Sequence, residues 1–195
     1  MSLVAVALLG GCLPRFVPVD DAEVSAALKE VLQQYQKRAE LARELITLVQ
    51  PVSNRTDALV AAVMDAQADL DCIRTAPETM VDRVAFERFK IAQRQLGDAL
   101  SGLLVESGND RRFHKDPRFR SLVRQLGGVD RQINVARQAY DEAVDRYNAS
   151  LNVFPRDVEA RILAVHERPE FGPAAGTTTR QLRTDFGSLR GSMRV

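Results

Sequence analysis

The stretch DPRFRSLVRQLGGVDRQINVARQAYDEAVDRYNASLNVFP, residues 116–155, decides the fold. Asp116 is placed to cap a helix, and Pro117 falls at the first helical position, where the N–H that proline lacks has no partner to lose. Apolar or aromatic residues then recur at Phe119, Leu122, Leu126, Val129, Ile133, Ala136, Tyr140, Ala143, Tyr147 and Phe154, with Ser150 and Leu151 filling the remaining seam position. Steps of three and four alternate, which gives the period of roughly 3.5 residues of a coiled-coil-like seam. The helix should end at Pro155 and be on the order of 55 Å long. Gly127-Gly128 costs roughly 2 kcal/mol inside a helix. The pair does not shift the seam's phase, so it reads as a close-packing or mildly kinked site within one helix.

Upstream, the same rhythm appears three more times. Val24, Leu28, Val31, Tyr35, Ala42, Leu45 and Val49 form one stripe, capped at Asp20 or Asp21 and stopped by Pro51, with Arg38 as its charged intruder. Ser53 or Asn54 can cap a second helix through Val52, Thr56, Leu59, Val63, Ala66, Leu70 and Ile73. After a turn at Thr75–Thr79, which contains Pro77, a third runs through Val81, Ala85, Phe89, Ala92, Leu96, Ala99 and Leu103. The polar segment ESGNDRRFHK, residues 106–115, reads as a loop. A short helix at 156–166 (Val158, Ile162, Val165) follows Pro155, and beyond Pro169 the Gly-, Thr- and Arg-containing text predicts a mobile, mildly basic tail. Period-two alternation is hard to find, which disfavours strands. Four long seams are best kept dry by packing against one another, so the expected fold is all-α: an antiparallel four-helix bundle of long coiled-coil-like helices with a short C-terminal helix.

Composition sets the outer limits. The chain of 195 residues carries 27 Lys+Arg against 26 Asp+Glu, so its balance of +1 supplies no global drive toward nucleic acid. Basic and acidic residues are interleaved along every helix, the pattern of solvated faces and not of a phosphate-binding stripe. Two cysteines cannot build a disulfide framework.

The N-terminus carries a separate signal. LVAVALL, residues 3–9, is too short to span a bilayer but has the length of a signal-peptide core. Leu9-Gly10-Gly11-Cys12 resembles a bacterial lipobox, in which the cysteine is acylated and becomes the new N-terminus. Several acyl chains, at roughly 0.8 kcal/mol per buried CH₂, anchor a protein stably. The plainer reading is a buried apolar segment with an inert Cys12, since the first positive charge, Arg15, follows the run. The expected organisation is a signal peptide at 1–11, a lipidated tether at 12–19, the bundle at 20–168 and a disordered basic tail at 169–195.

Two segments resemble a known family. Tyr35-Gln36-Lys37-Arg38-Ala39-Glu40-Leu41, and more strongly Ala136-Arg137, Tyr140, Ala143-Val144, Tyr147-Asn148 and Phe154-Pro155, are similar to motifs of LemA-family bacterial envelope proteins. The likeness extends over roughly residues 20–171. It departs at Asp141, where the family's first Tyr-Asn has Asn, at Asp116, where it has Tyr before Pro, and at Arg43, where many members have Pro. The resemblance implies a four-helix antiparallel fold, an N-terminal membrane anchor or lipid, an extracytoplasmic body, no established catalytic activity and an unknown partner, members being often found beside membrane-associated proteases or membrane-stress components.

Catalytic spacings are hard to assemble. His114 and His166 fit no helical metal-ligand spacing, and Cys72 reads as a quiet buried thiol. No cofactor is expected. The constellation that stands out is polar and lies on the seams: Tyr35, Arg38, Tyr140, Tyr147 and Asn148. Buried phenols and a buried guanidinium need partners, and Asp141, Glu142, Asp145 and Asn148 are near in helix phase. The layer therefore either fixes helix register or forms a partner-binding surface or small-ligand site. The leading expectation is a non-enzymatic lipoprotein, held on the extracytoplasmic side of the envelope by a lipid on Cys12, that acts as a helical scaffold or adaptor. Leu13 after Cys12 favours the outer membrane by the enterobacterial sorting pattern. The alternative is a ligand-binding or sensory bundle using the Tyr/Arg layer. The membrane, an envelope protein and a second copy of the chain are the candidate partners.

Overall fold

A computed structural model describes residues 19–50, 56–153, 156–163 and 165–172. The signal-peptide segment, Cys12 and the tether as far as residue 18, the caps at Ser53 and Asn54 together with Pro51 and Val52, Phe154 and Pro155, and residues 173–195 of the expected tail lie outside the described residues.

The chain forms α1 (Val19–Val49), α2 (Asp57–Asp71), α3 (Arg83–Asn109), α4 (Arg111–Lys115), α5 (Pro117–Ser150) and α6 (Arg156–Leu163), with no strand among the described residues. Capping follows the sequence at α5 but not at α1 or α2: α1 already begins at Val19, so Asp20 and Asp21 lie within its first turn, and Thr56 stands at the N-cap of α2 in place of Ser53 or Asn54. The Asp116 carboxylate accepts from the Arg118 and Phe119 amides at 2.6 and 3.3 Å, with Pro117 in the first turn. Asp82 does the same for α3 by accepting from Ala85 N at 2.7 Å.

Two contiguous apolar clusters fix the topology. One joins the N-terminal half of α1 (Val24–Tyr35), Phe86 and Phe89 at the start of α3, and Ile133–Tyr147 of α5. The other joins Ala42–Val49 of α1, Val60–Ala66 of α2, Leu96–Leu104 of α3 and Phe119 and Leu126 of α5. Thus α1 and α3 run one way and α2 and α5 the other. This is the expected antiparallel bundle, in which α1 pairs with α5 and α2 with α3.

The α1 stripe is buried at every expected position, Arg38 included. On α5 each expected position from Phe119 to Tyr147 is buried except the half-buried Val129, and Val144 joins them, widening the stripe beyond a strict coiled-coil seam.

Several boundaries differ from expectation. Residues 106–115 are not a loop: α3 continues to Asn109, and Asp110 then caps α4 by accepting from Arg112 N at 2.9 Å. Phe113 is the cause, because its ring seals the end of the interior against Phe119 at 5.6 Å. At the start of α3 the core uses Phe86 in place of Val81 and Ala85, and on α2 it takes Val60 ahead of Leu59. The larger ring fills more of the space between helices, and these short overlaps of apolar residues leave the phase open. The fourth long helix stops at Ser150, before Pro155, capped by the Leu151 amide. Gly127-Gly128 is not a close-packing site either: a Cβ at either position would meet only the Arg131 guanidinium, at 3.9 and 4.0 Å. Cys72 is exposed and free, not buried, because it falls at the C-cap of α2 where the stripe runs out.

The long helices are unequal. α2 has 15 residues against 27 in α3 and 34 in α5, so it lines only part of the bundle. At the other end its place is taken by Met80 from the connecting turn and by residues 165–172, which return across the bundle as an extended strap.

Candidate functional site

The five residues of the expected polar layer do not form one layer. They fall into two adjoining groups, joined by Phe171, which lies within the expected tail.

The first group centres on Arg38 of α1. Its side chain is 10% exposed. Nη2 donates to the Gln93 carbonyl at 2.7 Å and to Gln93 Oε1 at 2.6 Å, while Nη1 lies 3.7 Å from the Asp130 carboxylate of α5. The partners therefore come from α3 and the middle of α5, not from Asp141, Glu142, Asp145 or Asn148. Helix phase alone cannot tell which level of a neighbouring helix stands opposite; that depends on how the helices slide along one another. Burial raises the Asp130 carboxyl above its ordinary range, with Arg38 opposing the shift. The guanidinium also stacks over Tyr35, 5.0 Å from the ring centre. Burial pushes the Tyr35 phenol up, against the pull of Arg38 and Arg137. Nearby, Gln67 of α2 donates to the Ala39 carbonyl at 3.0 Å, so this level ties α1 to each of the other long helices.

The second group holds the strap. Asn148 pairs with both main-chain polar groups of Arg168: its Nδ2 donates to the Arg168 carbonyl at 3.1 Å and its Oδ1 accepts from the Arg168 amide at 2.9 Å. Tyr140 Oη donates to the Pro169 carbonyl at 2.9 Å, and Asp141 Oδ1 accepts from the Phe171 amide at 2.7 Å. From α3, Lys90 Nζ donates to the Glu170 carbonyl at 3.3 Å. Burial raises the Tyr140 phenol well above its usual range and also raises Asp141, which the Phe171 amide counteracts. Glu170 is raised by partial burial and by the carboxylates of Asp145 and Asp141 beside it. The Arg168 side chain pairs with Asp21 and lies over the Tyr147 ring at 5.7 Å, which places Tyr147 as a wall of the strap's channel.

Phe171 closes the arrangement. It is 4% exposed, with its ring centre 4.7 Å from Phe86, 5.3 Å from Tyr140 and 6.4 Å from Tyr35. The Arg137 guanidinium covers it at 4.9 Å. One ring thus plugs the opening between α1, α3 and α5. Gly172 follows with φ +72°, a left-handed turn that glycine adopts without strain. The domain boundary expected at 168 is accordingly misplaced: residues 169–172 belong to the bundle. The signal available was an isolated phenylalanine between proline and glycine in otherwise apolar-poor text, and composition masked it. Ile162, expected to face the bundle, is instead 76% exposed on α6, whereas Val165 does pack against the core.

Of the residues that carry the family likeness, Arg137, Tyr140, Tyr147 and Asn148 face the strap, and Asp141, where the chain departs from the motif, grips it with them. His166 is exposed, and His114 lines an open depression of about 470 Å³ with Gly108, Asn109, Arg111 and Lys115. A model of the LemA family matches residues 27–186, a span that runs through the strap. No curated protein matches the chain.

Proposed function

The chain belongs to the LemA family, and from that premise we propose that it is a non-catalytic, lipid-anchored scaffold or adaptor on the extracytoplasmic side of the bacterial envelope. The observation that carries this reading is the fate of the polar groups. The two terminal nitrogens of Arg38 are taken up by Gln93 and Asp130, leaving its buried Nε without a partner, and Tyr140, Asp141 and Asn148 are taken up by the strap. Side chains that could do chemistry are thereby spent on internal closure. Interaction then falls to the outer helix faces, where charges of both signs alternate and suit protein contact better than a polyanion.

The Leu9-Gly10-Gly11-Cys12 sequence supports lipidation at Cys12, and Leu13 supports the outer membrane as the destination. In this reading the tether sets the bundle a short distance from the bilayer, and the partner is an envelope or membrane protein held in the same plane. Cys12→Ser is the test. The variant should fold with the helical content of the parent and move to the soluble fraction after a high-salt wash, and radiolabelled palmitate should mark the parent alone. A Cys12→Ser chain that stays with membranes overturns the lipid anchor. Crosslinking in native membranes should recover a discrete protein partner for the parent, and an empty crosslinking pattern overturns the adaptor role.

A further inference from the structure

The bundle receives its strap in a manner indifferent to covalent continuity. Asn148, Tyr140, Asp141 and Lys90 address main-chain atoms of residues 168–171, and two side chains are read beside them: Phe171 as a buried aromatic anchor and Arg168, which pairs with Asp21. A groove that binds an extended backbone and seats one anchor accepts the same segment from any chain that carries it.

The arm leading to the strap has a matching property. Its α6 leaves Ile162 76% exposed, and Val153 just before it is 62% exposed. Apolar side chains standing in water on a connecting arm gain by being covered. From Val153 to Val165 the arm can reach at most roughly 30 Å with α6 intact, enough to cross a bundle about 20 Å wide.

We propose that two copies of the chain exchange residues 165–172, each strap seating Phe171 in the other copy's socket of Tyr35, Phe86 and Tyr140. The occupant is a second copy because the segment whose fit to this groove is on view is the strap itself, and every copy carries it. Exchange keeps every strap contact and sets only local concentration and arm geometry against each other. Crossing arms cover Val153 and Ile162. Exchange rests on the fold alone and stands whether or not Cys12 is lipidated.

Complementation tests it in full-length chains carrying Cys12→Ser. One chain loses its strap chemistry (Arg168→Ala with Phe171→Ala), and the other loses its groove chemistry (Tyr140→Phe with Asn148→Ala). Sedimentation should show each alone as a monomer and the mixture as a 1:1 pair, and a mixture no heavier than its components overturns the exchange. The parent provides a control that does not depend on these variants folding. With donor and acceptor dyes on the exposed Cys72 of separate samples, mixing should give energy transfer that grows with concentration. A peptide of residues 165–172 should compete it away, and the same peptide with Phe171→Ala should not. Transfer that is absent, or unmoved by the peptide, overturns the proposal. The labelled peptide should bind the strap-deficient chain about tenfold or more tighter than the parent, whose groove is filled. Peptide binding with parent chains that stay monomeric overturns exchange and leaves each strap in the groove of its own chain.

Discussion

Replacing Phe171 by alanine separates the two views of the chain's C-terminal segment most sharply. If the segment were a solvated tail, the substitution would be within about 0.5 kcal/mol of neutral. In the structure the ring is 4% exposed, touches three other aromatic rings and lies under the Arg137 guanidinium. Losing its transfer free energy costs about 1.5–3 kcal/mol, and the lost cation–π contact adds about 0.5–1 kcal/mol. A cavity term belongs on top, but the strap is tied to the bundle mainly by hydrogen bonds and can sag into part of the space. The expected loss is about 3 kcal/mol. For a folded body of this size that is a fall in melting temperature of about 6–12 °C. Urea titration followed by far-ultraviolet circular dichroism measures it, with Phe171→Leu as the volume-sparing control, which should cost less than about 1.5 kcal/mol. A loss below about 1 kcal/mol for Phe171→Ala refutes the plug and, with it, the inclusion of the strap in the bundle.

Other perturbations have equally definite outcomes. Ile133→Asp sets an unpaired carboxylate where the side chain is 4% exposed and should cost about 3–5 kcal/mol, while Arg131→Asp on the exposed face should be nearly silent; equal melting points refute the assigned seam. Gly127→Ala and Gly128→Ala should each raise stability by about 0.5–1 kcal/mol, because helix entropy is gained and the new methyl meets only Arg131; destabilisation by either shows a close approach after all. Asp130, Asp141 and Glu170 are all held above their ordinary values of 3.8, 3.8 and 4.5. The folded chain therefore takes up protons before the unfolded chain does, and stability should rise as pH falls from 7 toward about 5. A lower melting midpoint at pH 5 than at pH 7 contradicts this. On the alkaline side, the unfolded phenols of Tyr35 and Tyr140 ionise first, so stability should fall as pH rises through about 10.

How far the sequence could be read depended on the range of the signal. The α1 and α5 stripes repeat over many turns, so Val24 to Val49 and Phe119 to Tyr147 emerged in the right phase with few exceptions. Where the stripe is short or ambiguous, at Val81–Phe86 and Leu59–Val60, two overlapping sets of apolar residues fit the period equally well, and the buried set is not the one the period suggests. The segment 106–115 read as a loop because its polar residues outweighed a single Phe113, yet one ring at the end of a core suffices to hold a helical turn.

The sequence by itself determined the class of the molecule. Long apolar repeats with proline and aspartate at their borders admit little except helices packed on one another, and Tyr35, Arg38, Tyr140, Tyr147 and Asn148 could be marked as polar residues due for burial. Tertiary structure alone decided what they bind. Arg38 meets Gln93 across 55 residues and Asp130 from the far helix, and Asn148 meets Arg168 across 20. Such partners depend on the relative slide of the helices and on the space a short α2 leaves unfilled. A periodic pattern specifies which face of a helix is dry, but neither the level at which its neighbour stands nor the segment that fills the gap.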